Sequence, residues 1–354
     1  MSRYFSEKYR NLVPYVPGEQ PKDMKYIKLN TNESPFPPSP RALELAAEAA
    51  KRLQLYSDPE CKVLTTKASE VFGVPADQIL FTNGSDEALN FAFMAFCDQN
   101  RPAVFPDITY GFYSIFADLN GVPYTQIPLK EDFTIDVADY IGANATIFIA
   151  NPNAPSGLNL SLEQIEEILK GNPDNVVVID EAYVDFGGES AIKLIPQYEN
   201  LLVIQTFSKS RSMAGARLGF CAGSEALIGD LNAIKFSTNP FNVNAMTMAA
   251  GLGALEDEEY FRDNCRQILQ NRAWTTEKLR EMGFQVADST TNFVLAKHEK
   301  LVGKKLYLDL KARGILVRHF DTPRLTDYVR VTIGSKEEME AFIAAVKNIL
   351  EESV

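Results

Sequence analysis

Short, unbroken apolar runs that end on polar residues dominate the hydrophobic pattern of this chain. Ala145-Thr-Ile-Phe-Ile-Ala150 empties into Asn151-Pro-Asn153-Ala-Pro-Ser-Gly157, and Asn175-Val-Val-Val-Ile-Asp180 into Glu181-Ala-Tyr183. Leu201-Leu-Val-Ile-Gln-Thr-Phe207 likewise ends in Ser208-Lys209. Uniformly apolar runs of this length are the pattern of strands buried on both faces, as in a parallel sheet. From about residue 41 to 240 they alternate with helical patterns, beginning with an alanine-rich amphipathic helix over 41–54. The alternation predicts an α/β fold: a large domain over 41–245 with a mostly parallel mixed sheet covered by helices. Residues 245–282 read as largely helical, with Leu252, Leu255, Phe261 and Leu269 on apolar faces. Short strands at 292–295, 314–318 and 328–333, flanked by helical patterns at 300–313 and 336–351, predict a small α+β domain over 246–354. Residues 1–40 are too proline-rich for a helix or a central strand, and predict an irregular N-terminal arm that partly joins the small domain.

At 354 residues the chain is long enough for one large and one small domain. Apolar residues at 45% and charged residues at 23% are ordinary for a soluble globular protein. The net charge of −12 argues against a nucleic-acid or acidic-membrane partner, so an anionic small ligand must be held by a local basic site. Cys61, Cys97, Cys221 and Cys265 lie far apart without metal-ligand spacing, and His298 and His319 are the only histidines. That leaves little material for a metal centre or a Ser/His/Asp triad, and no metal is expected. The opening stretch is polar and charged rather than a signal peptide, and no apolar run reaches the length of a membrane span. A cytoplasmic protein with reduced thiols is the expectation.

In open α/β sheets, ligands bind beyond the carboxyl ends of the strands. Asn153, Asp180, Tyr183, Ser208 and Lys209 all fall there. A lone strand-end lysine is most simply a solvated one, and a strand-end Asp commonly opens a turn. Lys209, however, sits where partial loss of water makes an amine a nucleophile, and Arg217 follows eight positions later beyond a small-residue turn. Upstream, Ile79-Leu-Phe-Thr-Asn-Gly84-Ser85-Asp86 reads as a strand, a glycine turn and a helix start. With Ser85 near the N-cap, the free amides of Ser85 and Asp86 make an anion seat aided by the helix dipole. Ser208 and Arg217 complete it, Arg217 with a full positive charge. Tyr110, in Phe105-Pro-Asp-Ile-Thr-Tyr110, reads by itself as a loop aromatic closing a core.

The order Asn153, Asp180-Glu-Ala-Tyr183, Ser208-Lys209, Arg217 resembles the fold-type I pyridoxal-phosphate enzymes of the aminotransferase family (class II). The resemblance implies pyridoxal 5'-phosphate as cofactor and Lys209 as the amine that forms an imine with its aldehyde. Asp180 would face the pyridine nitrogen, Tyr183 and Asn153 the 3-oxygen, and Tyr110 a face of the ring. Ser85, Asp86, Ser208 and Arg217 would hold the phosphate. The implied reaction is ping-pong, with an amino donor and a 2-oxo acid acceptor, and with Lys209 moving the proton.

Within the family the chain is most similar to the histidinol-phosphate aminotransferases of histidine biosynthesis. Leu12-Val-Pro-Tyr15-Val-Pro-Gly18 resembles their arm motif, and Lys28-Leu-Asn-Thr-Asn32-Glu-Ser-Pro-Phe36 their substrate-side loop. Leu55-Tyr56-Ser-Asp-Pro59 resembles their Tyr-Pro-Asp-Pro segment, whose tyrosine reaches the neighbouring subunit's cofactor phosphate. A homodimer with composite sites is thereby implied, with Tyr15 and Asn32 on the substrate side. Arg318 and Arg330 match arginines that bind the substrate's anion: the phosphate of L-histidinol phosphate, or a carboxylate of glutamate and 2-oxoglutarate. Arg330, between apolar neighbours on a predicted strand, needs an anion more than Arg318, which also reads as a surface ion pair. The loop Asn151-Pro-Asn-Ala-Pro-Ser-Gly157 and the stretch Ser210-Arg-Ser-Met-Ala-Gly-Ala-Arg217 depart from the commoner family wording. Alternatives with the same cofactor are an aromatic amino-acid aminotransferase and a lyase such as threonine-phosphate decarboxylase.

Overall fold

The three central apolar runs lie side by side in a computed structural model that describes residues 2–10 and 12–352. In chain order the first strands are β1 (Ile27–Lys28), β2 (Ile79–Thr82), β3 (Ala103–Pro106), β4 (Tyr124–Ile127), β5 (Thr146–Ala150), β6 (Val177–Asp180), β7 (Leu201–Thr206) and β8 (Gly219–Gly223). Strands β2 to β8 form one seven-stranded sheet in the order β2-β8-β7-β6-β5-β3-β4. Its β4, β3, β5, β6 and β7 are parallel, while β8 runs antiparallel to both β7 and β2, so the sheet is mixed.

Both faces of this sheet are covered, which is why its central strands show no polar alternation. On one face Ile147, Ile149, Val177, Ile179, Leu201 and Val203 pack with α1 (Pro40–Ala50), α2 (Lys62–Phe72), α5 (Leu162–Gly171) and α7 (Ala245–Glu256). On the other, Phe148, Val178, Leu202 and Ile204 pack with α3 (Ser85–Phe96), α4 (Phe112–Asn120) and α6 (Glu225–Thr238). The α5 helix starts with a capping box between Ser161 and Gln164, which satisfies two amides that a helix start otherwise leaves free.

A third core lies among α8 (Glu258–Glu281), α9 (Gly303–Ala312), α10 (Lys336–Glu352) and a four-stranded antiparallel sheet. The remaining strands are β9 (Gln285–Val286), β10 (Phe293–Lys297), β11 (Ile315–Leu316), β12 (Arg318–His319) and β13 (Tyr328–Thr332). The sheet runs β12-β13-β10-β9. The run 314–318, read as one strand, is divided: Ile315–Leu316 pairs in parallel with Ile27–Lys28, whereas Arg318–His319 pairs with β13. The N-terminal segment claims the first half of the run, and Leu29, 1% exposed, enters the third core.

Helices α1 and α7 meet so closely that Gly253 abuts the α1 backbone. Alanine there would gain about 1 kcal/mol of helix propensity, but its Cβ would stand 2.6 Å from the Arg41 carbonyl oxygen and 2.7 Å from Ala42 backbone atoms. Backbone cannot step aside without opening the seam, and overpacking of this kind costs about 1–3 kcal/mol. Gly253→Ala is therefore expected to lower the thermal unfolding midpoint; a higher midpoint would contradict this packing.

Candidate active site

The carboxyl ends of β5, β6 and β7 open on a cavity of about 330 Å³, walled by Ser85, Asp86, Tyr110, Asp180, Tyr183, Ser208, Lys209 and Arg217 among others. Asp180 ends β6 and is 4% exposed. It accepts a hydrogen bond from the Tyr113 hydroxyl at 3.0 Å and one from the Ala182 amide at 3.3 Å. Burial nevertheless pushes its carboxyl up to about 6, the Tyr113 bond only partly opposing it. Burial, together with the Asp180 charge, holds the Tyr113 hydroxyl well above the usual tyrosine range, so it remains a donor.

Lys209 is half-buried, and its Nζ donates to the Thr31 carbonyl at 3.3 Å and stands 5.7 Å from the centre of the Tyr183 ring. The Tyr183 hydroxyl in turn accepts from the Asn32 amide at 2.9 Å, which fixes the ring against the N-terminal segment.

Gly84 is the N-cap of α3, with φ of +78°, and Ser85 stands next to it. A side chain there would collide with Arg217, its Cβ falling 2.6 Å from Nη2. Ser85 and Asp86 are thus the first two helical residues, whose amides have no partner within the helix. The Arg217 guanidinium, from a left-handed backbone position (φ 57°), reaches Asp86 at 3.0 Å and the Ser208 hydroxyl at 3.4 Å. Tyr110 donates its hydroxyl to Asp86 at 2.7 Å. Helix amides, a hydroxyl and a guanidinium make the donor set of a phosphate seat. On the same cavity, buried Asp180 has no ion-pair partner among the described residues and suits a cationic ring nitrogen. The residues present fit pyridoxal phosphate: an anion seat, an amine and a buried carboxylate wall one cavity.

A second cavity of about 380 Å³ shares Thr31, Tyr110, Tyr183 and Lys209 with the first and adds Tyr15, Asn32, Arg318, Phe320 and Arg330. The Arg330 guanidinium lies 5.1 Å over Phe293 and 5.6 Å over Phe320, and Arg318 lies 5.6 Å over Phe320 as well. Arg330 donates one bond to the Asn30 carbonyl at 3.1 Å, and burial works against its charge.

Two sequence candidates stand apart. Asn153 is buried, but its amide is occupied by the Ile108 carbonyl, Ser156 and Thr109 at 2.8–3.1 Å, and its neighbours Pro152 and Ala154 line the cavity instead. Tyr56 is 86% exposed and stacks on Phe241 at 4.6 Å, away from the cavity. Two contributors went unnoticed in the sequence: Tyr113, which holds Asp180, and Thr31, whose carbonyl receives Lys209. Tyr113 follows Tyr110 by three positions, across the start of α4, which is a faint signal. The buried Glu181 beside Asp180, pushed by burial up to about 7, accepts from Ser190, Ala191 and Gln205 and belongs to the scaffold.

Residues 24–346 match the sequence family described as Aminotransferase class I and II. The chain belongs to that family. A histidinol-phosphate aminotransferase from Brachyspira hyodysenteriae is 48% identical to this aminotransferase over 352 residues, covering 99% of each chain. Among solved structures, histidinol-phosphate aminotransferase from Sinorhizobium meliloti, in complex with pyridoxal-5'-phosphate, superposes with a TM-score of 0.91 at 23% identity, covering 100% of this chain and 99% of that one. L-threonine-O-3-phosphate decarboxylase from Porphyromonas gingivalis superposes at 0.80 with 23% identity, covering 92% and 99%. At those identities the two structures speak for the fold alone. Among the described residues, no cluster of three or more His, Cys, Asp or Glu forms a metal site, and no helix is long and apolar enough to cross a membrane.

Asp180 gives this aminotransferase a testable pH dependence. Its folded-state value is raised from 3.8 to about 6, so the ligand-free fold holds the proton more tightly than the unfolded chain. Stability is therefore lost as pH climbs through that window, by on the order of 3 kcal/mol once Asp180 is ionised. Asp180→Asn removes the loss. Thermal unfolding of cofactor-free protein should find the variant more stable than wild type at about pH 8, with the advantage shrinking toward about pH 4. A variant no more stable at the higher pH would contradict the burial argument.

Proposed function

We propose that this chain is a pyridoxal-phosphate-dependent aminotransferase that moves an amino group between L-histidinol phosphate and 2-oxoglutarate, with glutamate as the partner amine. One observation carries the reading: Lys209, Asp180 and the Ser85–Ser208–Arg217 anion seat wall a single cavity, next to a second one holding Arg318 and Arg330. The full-length identity to a histidinol-phosphate aminotransferase supports the substrate.

Bound in the first cavity, pyridoxal phosphate supplies an aldehyde for an amine and a ring that draws in the electron pair left when a Cα–H bond breaks. Lys209 is the amine that would hold that aldehyde and give it up to a substrate amine. Its freed amine would take the proton from the substrate's Cα and deliver it to the cofactor's former aldehyde carbon. Asp180, ionised against a cationic ring nitrogen, keeps that nitrogen protonated. Tyr113 fixes its carboxylate, Tyr110 on the cavity wall would cover one ring face, and Asn32 holds Tyr183 against the cavity. Asn153 acts by shaping the loop that carries Pro152 and Ala154. Arg330 and Arg318 bind the substrate's anion, with Tyr15 closing over it.

We further propose a homodimer working in the cytoplasm, with Tyr56 completing the neighbouring subunit's phosphate seat. Supporting this, Tyr56, Leu53, Leu55, Phe241 and Met246 are all exposed large apolar residues, and Tyr56 and Phe241 stack on each other. A large unit ending near Asp257, between α7 and α8, fits the packing of α7 on the first core better than a boundary at 245.

The test supplies pyridoxal phosphate, L-histidinol phosphate and 2-oxoglutarate to the purified chain and follows glutamate. Glutamate is expected with wild type and none above background with Lys209→Ala. Carbon dioxide release without glutamate would mark a lyase, and activity on phenylalanine but not histidinol phosphate an aromatic aminotransferase. Undiminished turnover by Lys209→Ala would end the assignment.

A further inference from the structure

The three residues after Lys209 are each fastened to a different segment. The Ser210 hydroxyl donates to Asp185, two residues beyond Tyr183. The Ser212 hydroxyl donates to Ser34 at 2.8 Å, two residues beyond Asn32. Between them, the Arg211 guanidinium donates to the Ala254 carbonyl in the last turn of α7 and to Glu258 at the start of α8, both at 2.7 Å. It also lies 4.0 Å over the Phe261 ring.

Arg211 is the strongest of these ties. Its side chain is 6% exposed and that of Glu258 31%, so the pair stands largely out of water, unlike the solvated ion pairs that contribute little. Guanidinium geometry lets one side chain hold a carbonyl, a carboxylate and an aromatic face at once. The two helices it grips meet at Asp257, where the chain passes from the first core to the third. Lys209 itself is loosely held: a four-carbon stem with one bond, to Thr31, at 3.3 Å. Where its amine stands therefore depends on where the backbone of the 209–213 loop is fixed.

We infer that Arg211 is a positioning residue for the transamination step: it anchors the Lys209 loop to the α7–α8 junction and sets the distance of the amine from the reacting carbon. The inference rests on the proposed role of Lys209. It separates from plain core packing because packing would show in stability alone. Displacement of the amine would also alter proton transfer and the environment of the bond that Lys209 makes.

The full chain carries the test. Arg211→Met keeps an unbranched stem against Phe261 but removes both hydrogen bonds. Arg211→Lys keeps the charge toward Glu258. Three quantities are read: the pH midpoint of the absorbance of pyridoxal phosphate bound to Lys209, kcat and KM separately, and the thermal midpoint. For Arg211→Met the expectation is a shifted absorbance midpoint and a kcat reduced about tenfold, with KM values changed by less than about twofold. Arg211→Lys should recover part of both. Wild-type absorbance midpoint and kcat in a folded Arg211→Met protein, whatever its thermal midpoint, would overturn the inference. Should Arg211→Met not fold, Glu258→Gln, with the same shape and no charge, is expected to shift both readings in the same direction, and no shift there would overturn it equally. The absorbance itself, present in wild type and lost in Lys209→Ala, tests the parent reading separately.

Discussion

The register of three adjacent parallel strands is the constraint on which the site depends. Ala150 of β5 stands opposite Asp180 of β6, which stands opposite Ile204 of β7. Each strand buries alternate side chains in two different cores, so a one-residue slip would exchange every residue between faces. The hydrophobic sequence thus locks the register, and polar residues are tolerated only where the strands leave the cores. The same lock that brings Asp180 to the cavity also strips it of water.

Charge follows from that placement. The chain carries a net −12, yet Lys209, Arg217, Arg318 and Arg330 gather around two joined cavities. Asp180 and Arg330 are each held where burial disfavours the charged form. In the ligand-free chain both are destabilising. A ligand that brings a cationic ring nitrogen to one and an anion to the other relieves both, so part of the stability of the loaded protein comes from its ligand. The anion seat at α3 needs no such relief, because Arg217 already leans on Asp86 and Ser208.

Much of this was legible in the chain because burial on both faces leaves an unmistakable apolar run. The strands that carry Asp180 and Lys209, and the strand–turn–helix ahead of Ser85, stand where periodicity and turn chemistry put them. What escaped depends on partners distant in sequence. Two residues, Ile27 and Lys28, carry no pattern of their own, yet they claim half of the 314–318 run. Tyr113 matters only because α4 starts where it does and aims a hydroxyl at a strand 67 positions away. Asn153 is bonded to Ile108, Thr109 and Ser156, and the first two are partners that no local spacing reveals.

The protonation state of the cofactor ring tests the central claim most directly. Pyridoxal phosphate labelled with nitrogen-15 in the ring, bound to the wild-type chain at neutral pH, should give the NMR shift of a protonated pyridine nitrogen, and Asp180→Asn should return it to the neutral form. A neutral ring nitrogen in the wild-type protein would contradict the account, because the buried carboxylate would then lack the cation that its place in the sheet requires.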